Sequence, residues 1–138
     1  MIGNSNRPMT VFDIAGRAMS AQLVRLNTTA SNLANAGSVS GSQGSAFRAM
    51  KPVFKTVMDG EGRATVAIDR IATSGASPTK RHDPTHPLAD QNGDVWEAAV
   101  DSAAELVEML ETARQYQNNV QVLQTAKGLI SETLRMGQ

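Results

Sequence analysis

The sequence predicts a mainly α fold: long N- and C-terminal helices paired in a coiled-coil-like hairpin, with a small β-hairpin and loop segment between them. Three observations predict it. Apolar residues recur at steps of three and four at both ends of the chain, Gly, Ser and Pro crowd the middle, and only 4% of the 138 residues are aromatic. Ala, Val, Leu, Ile and Met make helix seams more readily than pockets, so the chain reads as one structural domain of three segments, 1–36, 37–94 and 95–138.

Composition already bounds function. Thirteen basic residues balance thirteen acidic ones, which argues against nucleic acid or a membrane surface as a general partner. Cysteine is absent, excluding disulfides, thiolate metal sites and cysteine catalysis. No run approaches the roughly 18 apolar residues of a membrane span. Residues 1–10 lack the apolar core of a signal peptide, so no cleaved secretory signal is expected.

The first helix is expected from about residue 9 to residue 36. Phe12, Ala15, Met19, Leu23, Leu26, Ala30 and Leu33 form its stripe, with Ile14 beside it. Thr10 is the expected N-cap, with Asp13 three residues later, and Gly37 is the expected stop.

The middle segment opens with a Gly/Ser-rich run, residues 37–45, that has nothing to bury and should be flexible in isolation. Strand-like pieces at 52–58 and 64–71 flank Asp59-Gly60-Glu61-Gly62, which resembles a hairpin loop. Pro78, Pro84 and Pro87 then interrupt regular structure, and Asn92-Gly93 signals a turn.

The C-terminal third carries the strongest periodicity. Leu106, Met109, Ala113, Tyr116, Val120, Leu123, Lys127, Ile130 and Leu134 keep a heptad a/d pattern with one charged member, Lys127. A second stripe runs beside it: Val122, Ala126, Leu129, Thr133 and Met136. One stripe can face the N-terminal helix, and the other needs a further partner. A helix over 95–135 would be roughly 60 Å long, against a radius of gyration of about 14 Å for a compact domain of this size. Such a chain is a subunit made to assemble. Gly128 inside the helix costs roughly 1 kcal/mol relative to Ala and either marks a close helix approach or is simply tolerated.

Charge is segregated along the chain. Residues 1–55 carry Arg7, Arg17, Arg25, Arg48, Lys51 and Lys55 against Asp13 alone, whereas 94–111 carry six acids and no base. Arg17 and Arg25 are therefore candidate partners for Asp101, Glu105 and Glu108, within one subunit or across two, beside the alternative of a solvated acidic face.

No enzymatic constellation is present. His82 and His86 stand four apart but in a proline-containing loop with no further ligand cluster. The stretch from Asp90 to Asp94 fails the calcium-loop pattern, which wants Gly where Val95 stands and Glu where Asp101 stands. There is no phosphate loop and no supported Ser–His–acid group. Trp96 and Tyr116 are expected packing residues. No catalytic, metal or cofactor site is assigned.

The run Ala30-Ser31-Asn32-Leu33-Ala34-Asn35-Ala36-Gly37-Ser38 closely resembles the N-terminal signature of the flagellar axial family of rod, hook and hook-associated proteins. Phe12-Asp13-Ile14-Ala15-Gly16, Val39-Ser40-Gly41, Ala46-Phe47-Arg48-Ala49 and the stretch from Asp83 to Asp90 with Gly93 resemble its proximal-rod members. So do Arg114-Gln115-Tyr116-Gln117-Asn118-Asn119-Val120 and the ending Thr133-Leu134-Arg135-Met136-Gly137-Gln138. After Gly93 the family usually has Tyr-Val and, two residues later, Pro-Asn-Val. Here Asp94 replaces the Tyr and Ala98-Ala99-Val100 replaces the Pro-Asn-Val, from which a helix starting earlier, near Trp96, is expected.

The resemblance implies a structural subunit of the periplasm-spanning rod of the flagellar basal body. It implies passage through the flagellar type III export apparatus without a cleaved signal, and helical assembly with itself and other rod proteins. The helix-packing and assembly residues would be Phe12, Ile14, Met19, Leu23, Leu26, Leu33, Leu106, Met109, Ala113, Tyr116, Val120, Leu123, Ile130 and Leu134. The rival reading is a non-polymerising helical-hairpin adaptor or chaperone-like binding protein, against which the second stripe stands.

Overall fold

The computed structural model describes residues 9–138; the N-terminal stretch read for a signal peptide, with Arg7, lies mostly outside them. Helix α1 (Val11–Asn35) begins at a capping box. The Thr10 hydroxyl accepts the Asp13 N–H at 3.2 Å, and the Asp13 carboxylate accepts the Thr10 N–H at 2.9 Å, an arrangement that satisfies two otherwise orphaned donors. Five strands follow: β1 (Val39–Ser40), β2 (Met50–Met58), β3 (Ala64–Thr73), β4 (Thr79–His82) and β5 (Asp94–Glu97). Helix α2 (Ser102–Met136) closes the order.

This architecture corrects the expected mainly α helical hairpin. Two helices are joined by two antiparallel sheets, the β2–β3 ribbon and a three-stranded sheet in the order β1-β5-β4. The ribbon falls where the strand-like pieces are, with its break at 59–62. The second sheet is the surprise, because it takes residues expected to be helical. Val95 is fully buried, and Trp96 pairs with Ser40 on one side and Lys80 on the other. Beyond β5, Ala98 N–H donates to Ser38 O at 3.1 Å and Ala99 N–H to Phe47 O at 2.8 Å. Ladder hydrogen bonds to partners far apart in sequence thus consume the stretch 94–99, and loss of the family proline does not start the helix at Trp96. The helix starts where Asp101 accepts the Ala103 and Ala104 N–H groups at 3.0 and 3.1 Å, a cap on the positive end of the dipole.

The Gly/Ser run closes on itself. The Ser45 hydroxyl meets those of Ser40 and Ser42, and Ala46 N–H donates to Ser42 O. At the other turn, Gly93 has φ +77°, and a Cβ there would lie 2.9 Å from Pro84 Cβ. Only glycine suits it.

Helix α1 lies at the centre, packing against α2 on one side and β2–β3 on the other, whereas α1 is the only element that α2 packs against among the described residues. The tip of the β2–β3 ribbon is tied to the start of α1 through Asp59. Its carboxylate accepts N–H groups from Met9 at 3.0 Å, Glu61 at 3.0 Å and Arg63 at 2.8 Å, and the Arg63 Nε at 3.0 Å. These donors, Met9 first, hold the carboxyl down at about 2.

Candidate assembly interface

The two helices run antiparallel, and the polar residues between them set their register. Asn32, fully buried in α1, is the three-way junction. Its Oδ1 accepts Met50 N–H at 2.8 Å, and its Nδ2 donates to Met50 O at 2.8 Å and to Glu105 Oε2 at 3.0 Å. One side chain thus joins α1 to the first residue of β2 and to the first turn of α2. Two turns back along α1 and one turn on along α2, Arg25 Nε meets Glu108 Oε1 at 2.5 Å and Nη1 reaches Gln115 Oε1 at 3.3 Å. Gln22 donates to Gln115 at 2.9 Å.

The candidate charge pairs therefore divide. Arg25 and Glu108 meet. Glu105 goes to Asn32, Asp101 caps its own helix, and Arg17 makes no ion pair among the described residues. Within the signature, Asn32 is buried, Ser31, Leu33 and Asn35 are half-buried, and Ala30 and Ala34 face solvent. Asn35 Nδ2 donates back to Ser31 O at 2.8 Å.

Of the candidate packing residues, Ile14, Met19, Leu26, Met109, Ala113, Tyr116, Val120 and Leu123 are half-buried. Phe12, Leu23, Leu106, Ile130 and Leu134 are exposed. Val107, Leu110, Val122, Leu129 and Met136 are exposed as well, Met136 by 82%. The seam covers the middle of α2, while apolar residues at both ends and the second stripe, apart from half-buried Ala126, are exposed. In the register of Asn32 on Glu105 and Gln22 on Gln115, α1 begins about level with residue 126 of α2. The next ten residues of α2, about 15 Å of helix, run past it.

The sequence reading missed Thr112, fully buried with its hydroxyl on Glu108 O at 2.7 Å, because a Thr between seam positions carries no apolar signal. It also missed the charge cluster of the second sheet. Asp94, 7% exposed, holds Lys80 Nζ at 2.9 Å and His82 Nδ1 at 2.8 Å. Lys80, then His82, depress the Asp94 carboxyl below its ordinary range, and Asp94 raises Lys80. Arg81 on the same strand reaches Glu97 at 3.3 Å. The departure at position 94 was the available signal, since an acid facing Lys80 and His82 across two paired strands is an ion-pair pattern. His86 Nδ1 accepts the Leu88 N–H at 3.1 Å. No group of three potential metal ligands forms among the described residues, and none of their helices is long and apolar enough to cross a membrane.

A subunit whose longest helix is covered on one side, with apolar side chains left in water along the other, belongs to the class of proteins completed by neighbours. The comparisons give that class its family. The family model described as "Flagella basal body rod protein" matches residues 12–41, taking in α1 and β1, and that described as "Flagellar basal body rod FlgEFG protein C-terminal" matches residues 91–136, taking in β5 and α2. The chain is 41% identical over 131 residues to the flagellar basal-body rod protein FlgC of Salmonella typhimurium, spanning 94% of this chain and 98% of that one. It is 43% identical over 132 residues to FlgC of Escherichia coli O157:H7, with the same coverage. FlgC of Aquifex aeolicus is 33% identical over 123 residues, 88% of this chain and 91% of its own length. The chain belongs to the FlgC family of flagellar basal-body rod proteins, structural subunits of the rod.

Proposed function

We propose that this rod subunit polymerises through α1 and α2 and transmits torque across the periplasm. It works as one structural unit, with the terminal helices forming the inner layer of a tube and the 37–94 segment filling contacts between neighbours. It acts with copies of itself and other rod proteins, and reaches the rod through the flagellar type III export apparatus without a cleaved signal. It is not an enzyme. The observation that carries this reading is α2. Leu106, Val107, Leu110, Val122, Leu129, Ile130, Leu134 and Met136 are all about half exposed or more, along a helix that packs against α1 alone among the described elements. Apolar surface of that extent is stabilised by burial against neighbours at about 25 cal/mol per Å².

The test is electron microscopy of basal bodies in a strain deleted for this chain and then complemented. Loss of rods and hooks, restored by the wild-type chain, is expected. Intact hooks and normal swimming after deletion would remove the reading and favour an adaptor that binds one partner without polymerising.

A further inference from the structure

Between α1 and β3 lies an open cleft of about 510 Å³, walled by Phe12, Gly16, Arg17 and Val24 on one side and Val66 and Ile68 on the other. We propose that this cleft takes the uncovered end of α2, residues 127–136, from a second copy of the chain. The inference rests on the rod-subunit reading and names the partner of one of its surfaces.

Four observations point to that occupant. The cleft is largely apolar, and its lining carries Arg17 and Asp13: the Arg17 side chain makes no hydrogen bond or ion pair among the described residues, whereas the Asp13 carboxylate is held by Thr10. The end of α2 supplies the complement. At steps of three and four, Leu129, Glu132 and Met136 share one face; Leu129 and Met136 are exposed, and Glu132 makes no ion pair among the described residues. Second, this end has passed the start of α1 and no other element packs on it among the described residues, so it can enter a groove as a lone helix. The equally apolar Val107–Leu110 region cannot, because α1 lies beside it. Third, the α1 wall has a flat place for a close approach, since a Cβ built on Gly16 meets nothing within 4 Å.

Fourth, the end of α2 cannot reach the cleft of its own copy. Helix α2 approaches the ribbon at its own first turn, where Asn32 joins Glu105 to Met50, whereas residues 127–136 lie at the opposite end of α2, across α1 from the cleft, so entry would require the α1–α2 seam to open. A surface that fits a different surface of an identical chain makes a heterologous contact, which propagates as a ring or an open helix instead of closing as a two-fold dimer.

The absence of cysteine makes the test clean. Gly16→Cys and Leu129→Cys are introduced together in the full chain, in cells lacking the wild-type copy, and isolated basal bodies are treated with a short bis-maleimide. Bands at multiples of the 14.6 kDa chain, absent from either single variant, are expected. Within one copy, position 16 is about level with position 121, roughly 12 Å short of Leu129. A link at monomer mass alone would overturn the proposal, as would assembled rods with no copy-to-copy link, which would assign the cleft to another rod protein.

A second arm does not depend on the cysteines. Arg17→Glu alone and Glu132→Arg alone are each expected to cut the yield of basal bodies about tenfold through like-charge contact. The two together are expected to restore it. Single variants that assemble normally, or a double variant no better than the singles, would overturn the docking while leaving the rod reading intact. That reading falls only if deleting the chain leaves rods in place.

Discussion

The two helices have nearly opposite relations to the protein they belong to. Helix α1, with 25 residues, buries Ala15, Ala21, Thr28, Thr29 and Asn32 and is packed on both sides. Helix α2, with 35 residues, buries only Glu105 and Thr112. Yet α2 carries the longer apolar pattern, two stripes against one. Apolar periodicity reports which face will be buried, not whether the same chain supplies the cover. In α1 both walls belong to the subunit. In α2 one wall does, and the rest of the pattern has no cover among the described residues.

Substitutions should separate the helices along that line. The largest effect is expected from Ile130→Asp in α2. Its side chain is 48% exposed, so the isolated subunit should melt within about 0.5 kcal/mol of wild type, while basal bodies seen by electron microscopy should be absent. Normal rods in that variant would break the comparison.

Asn32→Ala in α1 should do the reverse first. It strips Met50 N–H, Met50 O and the buried Glu105 of one shared partner, and unmet buried groups cost about 1–3 kcal/mol each. We expect a loss of about 3 kcal/mol in chemical denaturation of the subunit. A change below about 1 kcal/mol would show that the junction does not hold the three elements together.

Gly93→Ala is expected to cost about 1–3 kcal/mol, since alanine must adopt φ +77° and press on Pro84. Hydrogen exchange should show the loss as faster opening of β4 and β5, with α1 unaffected.

The smallest effect is a pH dependence. The native Asp59 carboxyl sits at about 2 against an ordinary 3.8, so folding favours its charged form. Its contribution to stability is present above pH 3.8 and is lost as pH falls toward 2. Asp59→Asn should flatten the decline in melting temperature over that interval. An unchanged slope would mean that the tie from ribbon tip to α1 is not formed in solution.

Much of the site was legible because it is local. The cap at Thr10 and Asp13, the stripe of α1, the ribbon around 59–62, the Gly93 turn and the double stripe of α2 all follow from residues a few positions apart. Even the Arg25–Glu108 pair was within reach, because a segregation of charge between two helices that must pair leaves few candidates. What stayed hidden is long-range. Asn32 sits inside the signature, but nothing nearby indicates that its amide spans 18 positions to Met50 and 73 to Glu105.

By itself the sequence determined the helices' apolar faces, the first helix's start, the hairpin break and the absence of thiol chemistry, since each depends on side-chain type and spacing along a few turns. Only the tertiary structure decided that residues 94–97 are a central strand and that α2 begins at Ser102. Isolated, Val95-Trp96-Glu97-Ala98-Ala99 can continue a helix. Once β1 and β4 flank it, the ladder satisfies its backbone on both edges and Val95 is taken fully out of water. A local helical preference of a few tenths of a kcal/mol per residue does not outweigh that.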